Sequence, residues 1–166
     1  LTVLAGAALV TLAAKVQVPF WPVPMTLQML AVMGIALTFG PRIAVSIFLT
    51  YLAAGAVGLP VFAGTPERGI GLAYMAGPTG GYLAGYLVAT WLVGVTARGK
   101  GFLGRFGAML AGLMVVYALG AAWLAVYVPP SQVLAVGVLP FILGDLVKIG
   151  VVAVGGSLRA AYTARR

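Results

Sequence analysis

The sequence predicts an all-α integral membrane protein, a single domain of six transmembrane helices over residues 1–166. Three observations carry that prediction. The chain is 63% hydrophobic and only 7% charged, where a soluble domain carries roughly 25% charged residues. Its apolar residues fall into six stretches, several of them near the roughly 20 residues that cross a bilayer. Its basic residues punctuate those stretches instead of gathering in one patch. The 24 glycines and 10 prolines suit the same class, because close helix packing uses glycine and neighbouring helices absorb broken spans.

The first span runs from about Leu1 to Ala14. It looks truncated, and since Leu1 is not an initiator methionine a short leader is expected ahead of it. The proline-rich turn Val18-Pro19-Phe20-Trp21-Pro22-Val23-Pro24 follows. The second span covers Met25 to Phe39 and ends at Gly40-Pro41-Arg42, and the third runs from Ile43 to about Gly58. A long connection, Leu59 to Thr79, holds Glu67, Arg68 and several glycines. The fourth span is Gly80 to Thr96 and the fifth Phe106 to Val128, separated by Arg98, Lys100 and Arg105. Pro129 and Pro130 break the chain, Ser131–Leu139 is a short interfacial helix, and the last span is Pro140 to Leu158. Gly81-xxx-Gly85, Ala54-xxx-Gly58 and Ala108-xxx-Gly112 are small-xxx-small pairs suited to close helix approach. Trp21, Trp91, Trp123 and most tyrosines read as interface anchors.

With alternating spans, Arg42, Arg98, Lys100, Arg105, Arg159, Arg165 and Arg166 share one side, against Lys15 and Arg68 on the other. The positive-inside rule then puts both termini in the cytoplasm and the 59–79 loop outside. The same topology explains the net charge of +8 without a nucleic-acid partner.

Asp145 and Lys148 stand out. The stretch from Pro140 to Gly156 is otherwise Ile, Leu, Val, Ala, Phe and Gly. Three residues on a helix turn through about 300° and rise roughly 4.5 Å, so the two side chains can touch. Each ion costs about 2.5–3.5 kcal/mol near a helix centre. Only two acidic residues exist in the chain, and one of them is here, in the outer part of the predicted bilayer. The pair has three readings: a salt bridge that pins the last helix, a proton relay, or a binding site for a planar group with adjacent N–H and C=O. The binding reading is preferred, since a relay needs a second titratable group in line and a buried pair is a weak stabiliser.

Two further constellations lie at the predicted outer end. The 59–79 loop combines hinge glycines with Arg68 and Tyr74, the requirements of a lid, and leads through Thr79 to Tyr82. Thr26 and Gln28 are polar groups at the mouth of the second span, where helix-start roles compete with ligand contact. The chain has no histidine and no cysteine, which removes Ser–His and Cys–His catalysis and zinc sites with those ligands. It also lacks a Walker phosphate-binding loop, so it is expected neither to be an enzyme nor to hold a metal or cofactor.

These segments, in order, resemble the BioY family. The resemblance rests on Val18-Pro19-Phe20 with Pro22-Val23-Pro24-Met25-Thr26-Leu27-Gln28, on Gly40-Pro41-Arg42, on Gly58-Leu59-Pro60-Val61-Phe62-Ala63-Gly64, on the Gly77–Tyr82 loop end, and on Pro140-Phe141-Ile142-Leu143-Gly144-Asp145-Leu146-Val147-Lys148. The family comprises biotin-specific substrate-binding components of energy-coupling factor (ECF) vitamin transporters. The resemblance implies six helices in a bacterial cytoplasmic membrane, with a pocket open to the outside and covered by loops. It implies that Asp145 and Lys148 anchor the ureido group of biotin, that Tyr74 and Tyr82 are wall residues, and that the loop from Gly64 to Thr79 closes over them. For the biotin carboxylate, Arg68 or external water suits better than Lys148, which cannot serve both ends of the ligand. Implied partners are membrane lipid, a transmembrane scaffold and two cytoplasmic ATPases. Docking to the scaffold commonly uses Ala-xxx-Ala on the first helix, where this chain has Ala7-xxx-Thr11. A solitary, homo-oligomeric or ion-coupled carrier is the alternative.

Overall fold

A computed structural model of the chain describes residues 1–18 and 21–164. Pro19 and Phe20 of the proline-rich turn, and Arg165 and Arg166 of the topological count, lie outside the described residues. In chain order the elements are α1 (Thr2–Lys15), β1 (Gln17–Val18), β2 (Met25–Thr26), α2 (Gln28–Ala56), α3 (Gly71–Met75), α4 (Gly80–Thr96), α5 (Phe102–Leu124), α6 (Val133–Gly137) and α7 (Leu139–Thr163).

Element α2 is two helices. Gly40 breaks it with φ 75° and ψ 178°, a conformation open essentially to glycine alone. A straight helix would hold Gln28 and Tyr51 about 34 Å apart, yet the Gln28 carboxamide lies beside the Tyr51 hydroxyl. The limbs 28–39 and 41–56 therefore form a hairpin, and the second and third predicted spans are both present. With α1, α4, α5 and α7 they make six principal helices. By length and composition Gln28–Ala56, Phe102–Leu124 and the Val133–Thr163 segment qualify as membrane spans, and Thr2–Lys15 and Gly80–Thr96 are shorter apolar helices. Gly40→Ala is expected to lower stability by about 1–3 kcal/mol, seen as a drop in the apparent Tm in detergent. Space is not the cause, because a Cβ at Gly40 would meet its nearest neighbour, the Arg98 guanidinium, at an ordinary 3.5 Å.

Several details differ from the predicted layout. The proline-rich turn closes a small antiparallel ladder that pairs Gln17 with Thr26 and Val18 with Met25. The long loop contains the one-turn helix α3. α5 begins four residues earlier than predicted, because the glycines after Arg98 already end the turn. The predicted interfacial helix is present as α6.

Packing follows the small residues. A Cβ on Gly85 would stand 2.7 Å from Val116 Cα, and one on Gly81 2.3 Å from Trp123 Cβ, so α4 and α5 approach backbone to backbone. Gly112 faces Val93 and Ala89 of α4 across the same contact. The Ala54-xxx-Gly58 pair makes no such contact: nothing lies within 4 Å of a Cβ on Gly58, while one on Gly55 would run into the Phe62 ring. Helix α7 shows how the bundle is oriented. Leu143, Val147, Val151, Val154 and Leu158 form an exposed apolar stripe, a face suited to lipid. Its opposite face buries Phe141, Asp145, Ile149 and Ala153. That four-residue spacing turns the Asp145 carboxylate into the bundle.

Candidate binding site between α2, α4, α5 and α7

One end of the bundle holds a concavity of about 480 Å³, the open solvent at its mouth included. Helix α7 contributes Phe141, Asp145 and Lys148. Tyr117 and Val116 come from α5, Tyr82 and Tyr86 from α4, and Gln28 from the start of α2. Thr26 of β2, with Val23 and Pro24 just before that strand, enters from the side, and Ala63 and Thr79 come from the loop. The walls are mainly apolar and aromatic, with the ion pair as the charged feature.

The pair is built from two directions. Lys148 Nζ donates to Asp145 Oδ1 at 2.9 Å and to the Thr26 carbonyl at 2.8 Å. The Tyr117 hydroxyl donates to Asp145 Oδ2 at 2.8 Å. Asp145 is 5% exposed, so these bonds offset the desolvation of its charge. They also leave capacity. A carboxylate accepts about four hydrogen bonds and an ammonium donates three; two positions on each are filled here. The pair thus retains acceptor positions and one donor, and both residues line the cavity.

Other predicted residues divide. Thr26, Gln28, Thr79 and Tyr82 line the same cavity as the pair. Thr26 also has the helix-start role, since its Oγ1 accepts from the Gln28 N–H at 3.2 Å. Tyr82 donates to the Gly137 carbonyl at 2.7 Å, tying α4 to α6. Arg68 and Tyr74 do not line this cavity. They line a neighbouring one with Trp21, Pro22 and Thr79. Arg68 Nη1 donates to the Pro22 carbonyl at 3.0 Å, joining the loop to the segment before β2. Tyr74 stacks on Phe62 with ring centroids 4.8 Å apart, and burial pushes its phenol above the ordinary 10.

The 59–79 loop is packed down over this end. Phe62 is fully buried and meets Tyr51 edge-on. Lys15 Nζ donates to the carbonyls of Phe62 and Thr65, both at 3.0 Å, and to Thr65 Oγ1 at 2.8 Å. On the far side Trp123 Nε1 donates to the Gly77 carbonyl at 2.8 Å, and the Tyr127 hydroxyl to that of Ala76. Trp123, expected as an interface anchor, therefore also holds the loop.

Residue reading alone did not single out Lys15, Tyr86, Tyr117 or Phe141. For Tyr117 a signal existed: it lies near the middle of its predicted span, where an interface-anchor role does not apply.

The profile of the BioY family matches residues 1–164. The chain belongs to the BioY family. Among its relatives, a probable biotin transporter BioY of Pyrococcus horikoshii is 41% identical over 141 residues, covering 85% of this chain and 83% of that protein. The biotin transporter BioY of Thermotoga maritima is 38% identical over 148 residues, covering 88% and 86%. A crystal structure of the S-component for biotin from an ECF-type ABC transporter superposes with a TM-score of 0.80 at 27% identity, covering 95% of this chain and 88% of that one. The BioY fold is thus shared along nearly the whole chain, and the chain is a multi-pass membrane protein of a transporter family.

Proposed function

We propose that this BioY protein binds biotin in the Asp145–Lys148 cavity and serves as the substrate-specific subunit of an ECF transporter in the cytoplasmic membrane. The observation that carries the reading is the buried pair with its spare acceptor and donor positions, in a chain whose relatives are named biotin transporters. A cyclic urea presents N–H beside C=O. Its N–H groups match the free lone pairs of Asp145, and its carbonyl matches the third Lys148 proton. The ring sulfur and alkyl chain suit Phe141, Tyr82, Tyr86 and Val116. Purified protein in detergent, titrated calorimetrically, is expected to bind biotin and not thiamine or riboflavin. Equal heats for all three would sink the proposal.

The charge distribution supports a cavity facing outward and cytoplasmic termini. Lys15 and Arg68 stand at the cavity end, while Arg98, Arg105 and Arg159 gather at the opposite end. ECF partnership is supported by the S-component resemblance, with a scaffold and two ATPases supplying the energy. Ala7 is buried in the bundle, and Thr11 Oγ1 folds back to the Ala7 carbonyl at 2.9 Å. Ala5 and Ala8 of α1 are exposed, which supports docking through that face of the helix.

Arg68 acts as a latch that holds the loop on the segment before β2, through its bond to Pro22. Arg68→Gln is expected to weaken biotin and the uncharged biotinamide alike, by about fivefold, the worth of one hydrogen bond of about 1 kcal/mol. A loss confined to biotin would instead assign Arg68 to the carboxylate tail.

A further inference from the structure

The end of the bundle opposite Asp145 holds a second cavity that biotin binding leaves unused. It spans about 680 Å³ counted to its open mouth, between Thr38, Gly99, Gly156 and three arginines, Arg98, Arg105 and Arg159. The arginines come from different places: Arg98 just beyond α4, Arg105 from α5 and Arg159 from α7. Two are positioned by the fold. Arg105 Nη1 donates to Ser157 Oγ at 3.2 Å, and the Arg98 guanidinium lies against Gly40 at the break between the two limbs of α2.

No side-chain carboxylate stands at this end. The chain has two acidic residues; Asp145 is bonded to Lys148, and Glu67 lines the cavity beside the loop. Positive-inside topology calls for basic residues near this surface, but not for three guanidiniums around one concavity. Like charges held together at the rim of a low-dielectric bundle repel unless an anion stands between them. Guanidinium groups fit the oxygens of phosphate in a bidentate manner, and basic pockets between membrane helices hold lipid headgroups.

We propose that this cavity binds a phosphate group, and that in the membrane the group is the headgroup of an anionic phospholipid. The site rests on the chain being a membrane protein and is independent of the biotin reading.

The test uses the protein in nanodiscs of equal phosphatidylcholine and phosphatidylglycerol, with retained lipid counted by native mass spectrometry. Wild-type protein is expected to retain phosphatidylglycerol preferentially. Arg98→Gln/Arg159→Gln is expected to reduce that preference by about fivefold per arginine. Arg42→Gln/Lys100→Gln removes the same charge from the same end without touching the cavity, and is expected to keep the preference. All four positions are exposed, so these variants do not threaten the fold. Equal losses in the two variants, or no preference in the wild type, would overturn the site. Inorganic phosphate separates the sources. If it raises the apparent Tm of wild type and not of Arg98→Gln/Arg159→Gln while no lipid is retained, the headgroup assignment is overturned in favour of free phosphate.

Discussion

Asp145→Asn is expected to weaken biotin binding about a hundredfold while leaving a folded protein. The carboxylate is the acceptor for both Lys148 and Tyr117, and its remaining lone pairs are those proposed to receive the ureido N–H groups. An amide keeps the shape but loses the charge and replaces one acceptor oxygen with an NH₂ donor. A charge-assisted hydrogen bond is worth about 1.5–3 kcal/mol. Losing two such bonds to the ligand, partly offset by water, comes to roughly 3 kcal/mol, or about a hundredfold. Calorimetric titration of the purified variant measures it. Affinity within threefold of wild type would remove Asp145 from the site.

Lys148→Met is expected to produce the largest loss of stability, about 3–5 kcal/mol, because it strands a buried carboxylate. The Asp145 side chain is 7% exposed and would keep only the Tyr117 hydroxyl. The apparent Tm in detergent reads the effect. The double variant Asp145→Asn/Lys148→Met is expected to recover most of that loss, since neutral residues in place of a buried pair are often tolerated. It is expected to bind no biotin. The double variant separates the salt-bridge reading of the pair from the binding reading. A stable double variant that still binds biotin would reduce Asp145 and Lys148 to a clasp on α7. A stable one that does not bind assigns them to the ligand.

The sequence by itself determined the membrane class, the six principal helices and the charged pair. Each is a local property: apolar length, turn residues such as Gly40-Pro41, and a three-residue spacing along one helix. Element α4 matches its predicted ends for this reason, with glycine and proline before it and Arg98 beyond it. The start of α5 was less legible, because the glycines on both sides of Arg105 permit helix or turn, and the turn had already ended at the glycines after Arg98.

Only the tertiary structure decided what surrounds the pair. The Tyr117–Asp145 bond spans 28 residues, and the bond from Lys148 to the Thr26 carbonyl spans 122. Lys15 reaches the loop across 47 and 50 residues, and nothing near Lys15 in the chain announces that it will. Arg68 carries the charge expected of a ligand contact, and only the folded loop places it against Pro22, in the cavity next to that of Asp145 with Thr79 common to both. Ala7 has the size expected of a docking residue, yet α1 rotates it inward. Hydropathy and spacing tell which residues share a helix face. They do not tell which other helix that face meets, and the chemistry of this cavity depends on groups that four separate helices bring together.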